Sequence, residues 1–65
     1  MKLVRTLRNL MGIGKEEFAG VAGISLRTLS RLESGEANPD EETIRRVDNG
    51  FEEIVKRRMY ERKRA

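Results

Sequence analysis

The chain predicts a small all-α domain of four to five helices. Three features carry that expectation. Apolar residues recur at spacings of three and four, as in Phe18 and Ala22, Leu29 and Leu32, and Ile44 and Val47, which places each set on one helix face. Glycines follow the periodic segments at Gly12, Gly23 and Gly35, where a left-handed residue ends a helix without a Cβ clash. Helix-starting residues, Ser25 and Pro39, stand ahead of the next segments.

Sixty-five residues make one domain, 1–65. A chain this short buries only about 60% of its unfolded surface and is marginal alone. It contains no cysteine, which excludes disulfides and thiolate metal sites, and no histidine, the commonest general base and metal ligand. Neither a metal nor another cofactor is expected. No apolar run is long enough to span a membrane. Met1-Lys2-Leu3 leads straight into helical sequence without the pattern of a signal peptide, so a cytoplasmic location and no membrane partner are the expectation. The net charge is +3, modest for a nucleic-acid binder, but it is unevenly spread. The chain opens basic through Arg31, is acidic from Glu33 to Glu53, and ends basic from Lys56. That order suits a protein with one DNA face, and equally one whose segments pair with each other.

Helix 1 is expected over residues 2–11, with Val4, Leu7 and Met11 as its apolar stripe and Leu3 and Leu10 widening it. Gly12 ends it, and Ile13 folds back as an apolar contact beyond the cap. Helix 2 spans Lys15–Ala22, with Gly14 as its N-cap. Ala19 is small, which suits a close approach to a neighbouring helix. Gly23-Ile24-Ser25 forms a tight turn in which Ile24 plugs the corner and Ser25 caps helix 3 through its side-chain oxygen. Helix 3 runs from Leu26 to about Ser34. Leu29 and Leu32 lie one turn apart and face inward. Leu26, Arg27, Ser30 and Arg31 are left outward at its N-terminal end. A rigidly held helix with that polar, cationic face is shaped to enter a DNA major groove.

Helix 4 is expected to begin at Pro39, whose missing N–H is not needed there. Asp40, Glu41 and Glu42 then occupy the first turn, where the helix dipole favours carboxylates. Ile44 and Val47 close the core over helices 2 and 3. Asp48-Asn49-Gly50 reads as a stop signal. Residues 51–65 then carry a last amphipathic, basic helix with Phe51, Ile54, Val55 and Met59 on its apolar face and Tyr60 beside it. The periodicity runs on from Ile44 and Val47, so one long helix with a kink at Gly50 is the alternative. The tail containing Arg62, Lys63 and Arg64 has three readings: a solvated helix end, a salt-dependent contact to DNA backbone, or a contact to an acidic partner protein.

Residues 15–35, KEEFAGVAGISLRTLSRLESG, resemble the helix-turn-helix of the phage repressor and Cro family, the Xre-type regulators. The likeness spreads over roughly residues 4–47. It includes Arg8 ahead of Gly12-Ile13, Glu33-Ser34-Gly35 after helix 3, and Pro39 followed by Thr43-Ile44. It implies a repressor-like helix-turn-helix fold that binds double-stranded DNA through helix 3. It also implies base readout by Leu26, Arg27, Ser30 and Arg31. Arg27 has the planar fork to hold guanine O6 and N7. Leu26 departs from the family's common polar residue, and either meets a thymine methyl or is simply an exposed leucine. Phosphate contacts fall to Lys15, which replaces the family's usual glutamine, and to Ser25, Thr28 and Asn38. Arg8 and Glu33 are expected as a partly buried ion pair joining helix 1 to the end of helix 3. Glu36, in the following loop, would oppose binding if it pointed at the duplex.

The functional expectation is a sequence-specific transcriptional regulator, a dimeric repressor of phage or prophage type acting on a palindromic operator. The homodimer is expected through Phe51, Ile54, Val55 and Met59, whose other role is intramolecular core. Activation through contact with polymerase is equally allowed. The alternative is an antitoxin-like module that binds a toxin through the last helix. An enzyme is not expected. Glu16-Glu17, Asp40-Glu41-Glu42 and Glu52-Glu53 are neighbours only in sequence and point about 100° apart on a helix. No nucleophile, cofactor loop or metal cluster accompanies them.

Overall fold

A computed structural model describes residues 1–36 and 38–64, with side chains described through Glu61. Four helices follow in order: α1 (Lys2–Leu10), α2 (Lys15–Ala22), α3 (Leu26–Ser34) and α4 (Glu41–Arg64). The domain is all-α, with no strand among the described residues. None of these helices is long and apolar enough to cross a membrane.

The joints follow from local sequence. Gly23 takes φ 71°, and the next amide, of Ile24, returns to the Ala19 carbonyl at 3.0 Å. Gly35 takes φ 80°, and the amide of Glu36 returns to Arg31 at 3.0 Å. Both closures use carbonyls that the ending helix leaves unpaired, in a conformation that a Cβ would strain. Gly14 and Ser25 are the N-caps of α2 and α3.

Phe18, Leu29, Leu32 and Val47 are the largest fully buried side chains, and Val4, Ile13, Ala19, Ala22 and Ile54 complete the core. Burial of a large apolar side chain contributes about 1.5–3 kcal/mol. The core is therefore centred on the α2–α3 unit, which is held from both sides. α1 lies against α3, where the amino group of Met1 also donates to the Leu32 carbonyl. α4 lies against α2, where the rings of Phe18 and Phe51 pack with centroids 4.4 Å apart and planes tilted by 39°.

Four sequence expectations are corrected. The inward face of α1 is Val4, Arg8 and half-buried Met11, whereas Leu3, Leu7 and Leu10 are 67%, 37% and 79% exposed. Arg8 is drawn inward by its carboxylate partner and takes the position that an apolar stripe through Leu7 would have occupied. Second, α4 begins at Glu41, because the Asp40 carboxylate accepts the Thr43 amide at 2.8 Å and serves as N-cap, leaving Pro39 outside the helix. Third, Val47 closes the core while Ile44 remains 39% exposed.

The fourth correction concerns Gly50. It does not stop a helix: of the two readings, the single long helix is the one found, and α4 runs through Gly50 as one helix of 24 residues. Gly50 is buried against α2, and a Cβ there would lie 2.9 Å from the Ala22 Cβ and 3.2 Å from its Cα. The missing side chain is what lets the two backbones approach. The resulting helix, about 36 Å long at about 1.5 Å per residue, accounts for most of the molecule's 41 Å long axis.

Candidate nucleic-acid interface

Helix α3 is oriented by its inner face. Leu29 is 0% and Leu32 2% exposed, so the roll of the helix about its axis is set by the core. Its outer face then carries Leu26, Arg27 and Arg31 exposed to solvent, with Ser30 half-buried on the same side as Leu26.

The first turn of α3 is tied twice. The Ser25 hydroxyl oxygen accepts the Thr28 amide at 3.0 Å, and the same hydroxyl donates to Thr28 Oγ1 at 2.8 Å. This clasp engages the Ser25 donor, so a phosphate contact from Ser25 requires that hydroxyl to turn away from Thr28.

Two hollows flank the outer face. One, at the N-terminal end, is lined by Gly14, Lys15, Glu16, Leu26 and Ser30. The other is lined by Thr28, Arg31, Leu32, Asn38, Asp40 and Thr43, together with Pro39. The structure thus brings Lys15 to Leu26 and Ser30, and separately brings Thr28 to Arg31 and Asn38. Arg27 lines neither hollow and extends from the exposed face. Glu36 is exposed beside the C-terminal end of α3.

Behind this surface lies the ion pair of Arg8 and Glu33. Arg8 Nε donates to Glu33 Oε2 at 2.8 Å and Nη2 to Oε1 at 3.0 Å, while Nη1 donates to the Ile13 carbonyl at 2.9 Å. Both residues are more than nine-tenths buried. The hydrogen bonds that Arg8 donates to Glu33 hold the guanidinium pKa above its ordinary value, against the opposing effect of burial. Among the described residues no buried side-chain nitrogen or oxygen lacks a partner. Lys15 leans toward the same carboxylate, its Nζ 4.0 Å from Glu33 Oε1, with its side chain still 46% exposed.

A further contact lay outside the sequence expectations. Arg46, on α4, donates through Nη1 to the Gly23 carbonyl at 2.6 Å and through Nη2 to Glu42 at 2.8 Å. The turn between α2 and α3 is thereby fastened to α4 as well as to its own helices. The Glu42–Arg46 spacing of four is visible in the sequence as a helix pair. The reach of Arg46 to a turn 23 residues away is not.

Of the four residues assigned to a dimer contact, Ile54 lies in the intramolecular core at 4% exposure and Phe51 is half-buried on Phe18. Val55 and Met59 are exposed, at 44% and 56%. The side chains of Arg62, Lys63 and Arg64 lie outside the described residues. No group of His, Cys, Asp or Glu among the described residues is arranged to hold a metal ion.

A helix-turn-helix family model matches residues 4–52, which include most of α1, all of α2 and α3, and the first half of α4. No curated protein and no solved structure gives a significant match. A clasped, core-oriented α3 with a polar and cationic outer face, set within a match of this extent, identifies the chain as a DNA-binding member of the phage repressor/Cro-like, Xre-type helix-turn-helix family.

Proposed function

We propose that the chain is a dimeric repressor of phage type that inserts α3 into the major groove of a palindromic operator. The observation that carries this reading is the roll of α3. Leu29 and Leu32 are in the core, so Leu26, Arg27 and Arg31 are turned to solvent, with half-buried Ser30 beside Leu26. In this reading those four side chains meet base edges. Arg27 forks onto guanine O6 and N7, a contact worth about 1–3 kcal/mol of discrimination. Lys15, Thr28, Asn38 and Ser25 meet phosphates on either side and set the register. Val55 and Met59 on the distal part of α4 form the symmetric contact between two copies, since Phe51 and Ile54 are engaged within the chain. Occupancy of a promoter then excludes polymerase.

In vitro selection from random duplex DNA at near-physiological salt tests the reading. The expected product is an inverted repeat with half-site centres about one helical turn, roughly 10–10.5 bp, apart. Arg27→Ala should then relax preference at one base pair per half-site and leave the fold intact. A folded protein that enriches no sequence overturns the proposal. That result would favour the second reading, an antitoxin-like module whose exposed Val55 and Met59 dock on a partner protein. Such a protein would co-purify with a toxin encoded beside it.

A further inference from the structure

Two apolar surfaces are left uncovered by the fold. On α1, Leu3 and Leu10 are 67% and 79% exposed, and Leu7 between them is 37% exposed. Their spacings of four and three set them along one side of the helix, the pattern by which one helix packs on another. On α4, Ile54 is the last buried side chain, and every described side chain after it, from Val55 to Glu61, is exposed. Residues 55–64 therefore carry the helix about 15 Å past its last core residue, at about 1.5 Å per residue. Val55 and Met59, one turn apart, give this arm an apolar side.

Area and charge decide what covers them. A specific dimer buries at least about 1,200 Å² in total. Two half-exposed side chains per copy, Val55 and Met59, fall well short of that if they meet only their own counterparts. The leucine face of α1 adds three more apolar side chains per copy. It is poorly suited to meeting a second α1, because that helix carries Lys2 and Arg5 on its surface and no carboxylate, so two copies would oppose like charges. The arm suits it better. Lys56 and Arg57 are answered within α4 by Glu52 and Glu53, each at 3.2 Å, and Glu61 stands one turn beyond Arg58.

We propose that the leucine face of α1 is the seat for the α4 arm of a second copy, so that two copies exchange arms about a two-fold axis. This rests on the dimer argued above and names what Val55 and Met59 meet. The exchange is reciprocal: each α1 receives an arm and each arm is received, which covers both apolar surfaces of both copies at once. The pair is closed, with no unmatched face left to recruit a third copy.

The test uses the full chain, which has no cysteine of its own. Protein carrying Leu3→Cys, Leu7→Cys or Leu10→Cys is mixed in turn with protein carrying Met59→Cys and oxidised. At least one mixture should give the mixed disulfide dimer in preference to either homodimer. Recovery of the Met59→Cys homodimer alone, or of no cross-linked dimer, overturns the inference. Sedimentation equilibrium supplies the second measurement. Wild type should be a dimer, and Leu3→Ser with Leu10→Ser should weaken it by about tenfold or more, as should Val55→Ser with Met59→Ser. All four changes together should weaken it by much less than the product, because each pair removes the same contact from opposite sides. None of these side chains is in the buried core, so helical content by circular dichroism should stay unchanged. Undiminished dimerisation of the Leu3–Leu10 variant overturns the inference, and a weakened Val55–Met59 variant beside it leaves the dimer reading standing. A monomeric wild type overturns both and points to a different protein as the occupant.

Discussion

Between α1 and α3 the join is a buried ion pair, whereas between α2 and α4 it is close apolar contact. The first is made by Arg8 and Glu33 with two short bonds, plus a third bond to the Ile13 carbonyl. The second is made by Phe18 on Phe51, by Val47 and Ile54 in the core, and by Gly50 lying on Ala22. Charge and burial impose different demands. An ion pair taken out of water recovers its desolvation only in a good geometry, so it contributes direction more than net stability. Apolar packing is tolerant of direction but not of volume. The α1–α3 seam accordingly decides how α1 is rolled, with leucines outward and an arginine inward. The α2–α4 seam supplies buried area and decides how near α4 can come.

The strongest test of this contrast is to remove one charge. Glu33→Ala should destabilise the fold by about 3–5 kcal/mol, because Arg8 is left buried without its partner. Replacing both residues with apolar ones of similar volume, as in Arg8→Met with Glu33→Leu, should recover most of that loss. Urea denaturation of the singles and the double decides it. A double variant as unstable as Glu33→Ala would mean that the pair itself is a main source of stability, and the contrast between the seams would be lost.

Gly50→Ala tests the other seam with a smaller effect. Helix propensity alone favours alanine over glycine by about 1 kcal/mol. A Cβ 2.9 Å from the Ala22 Cβ and 3.2 Å from its Cα demands that one helix move. Overpacking of this kind costs about 1–3 kcal/mol, so the net change should be a loss of stability. A raised melting temperature would show that the seam opens freely and is not set by volume.

Asp40 offers a smaller, pH-dependent effect at the start of α4. Hydrogen bonds from the Thr43 hydroxyl and then the Thr43 amide hold its carboxyl below the usual aspartate range. A depressed folded value means that its contribution is present above the unfolded pKa of about 3.9 and fades as pH falls through the folded value. Asp40→Asn, which keeps an acceptor but does not titrate there, should flatten the acid limb of the stability profile. An unchanged acid limb would remove Asp40 as its source. Smallest of all, Glu53→Gln breaks an exposed pair with Arg57 and should shift stability by no more than about 0.5 kcal/mol. A loss near that of Glu33→Ala would erase the distinction between buried and exposed charge on which the comparison depends.

The local turns were readable in the chain because each depends on neighbours only. Gly23 and Gly35 end their helices, and Ser25 caps α3, through bonds spanning a few residues. Helices α2 and α3 have the bounds that their periodicity predicts, and the helix-turn-helix resemblance agrees with the family match over residues 4–52. Readings that depended on what lay across a seam were less secure. Leu7 and Ile44 fit apolar stripes by spacing, yet each sits at the edge of its helix's buried face and remains partly exposed.

The sequence by itself determined an all-α helix-turn-helix domain, its glycine joints, and the exposure of Leu26, Arg27 and Arg31 on α3. These rest on period and backbone preference, which are properties of short segments. Tertiary structure chose between the two readings of Gly50 in favour of one long α4, and alone decided that Arg46 reaches the Gly23 carbonyl and which face of α1 turns inward. A glycine has the same local preferences whether it ends a helix or lets another helix approach. Only the presence of Ala22 on the facing helix distinguishes the two.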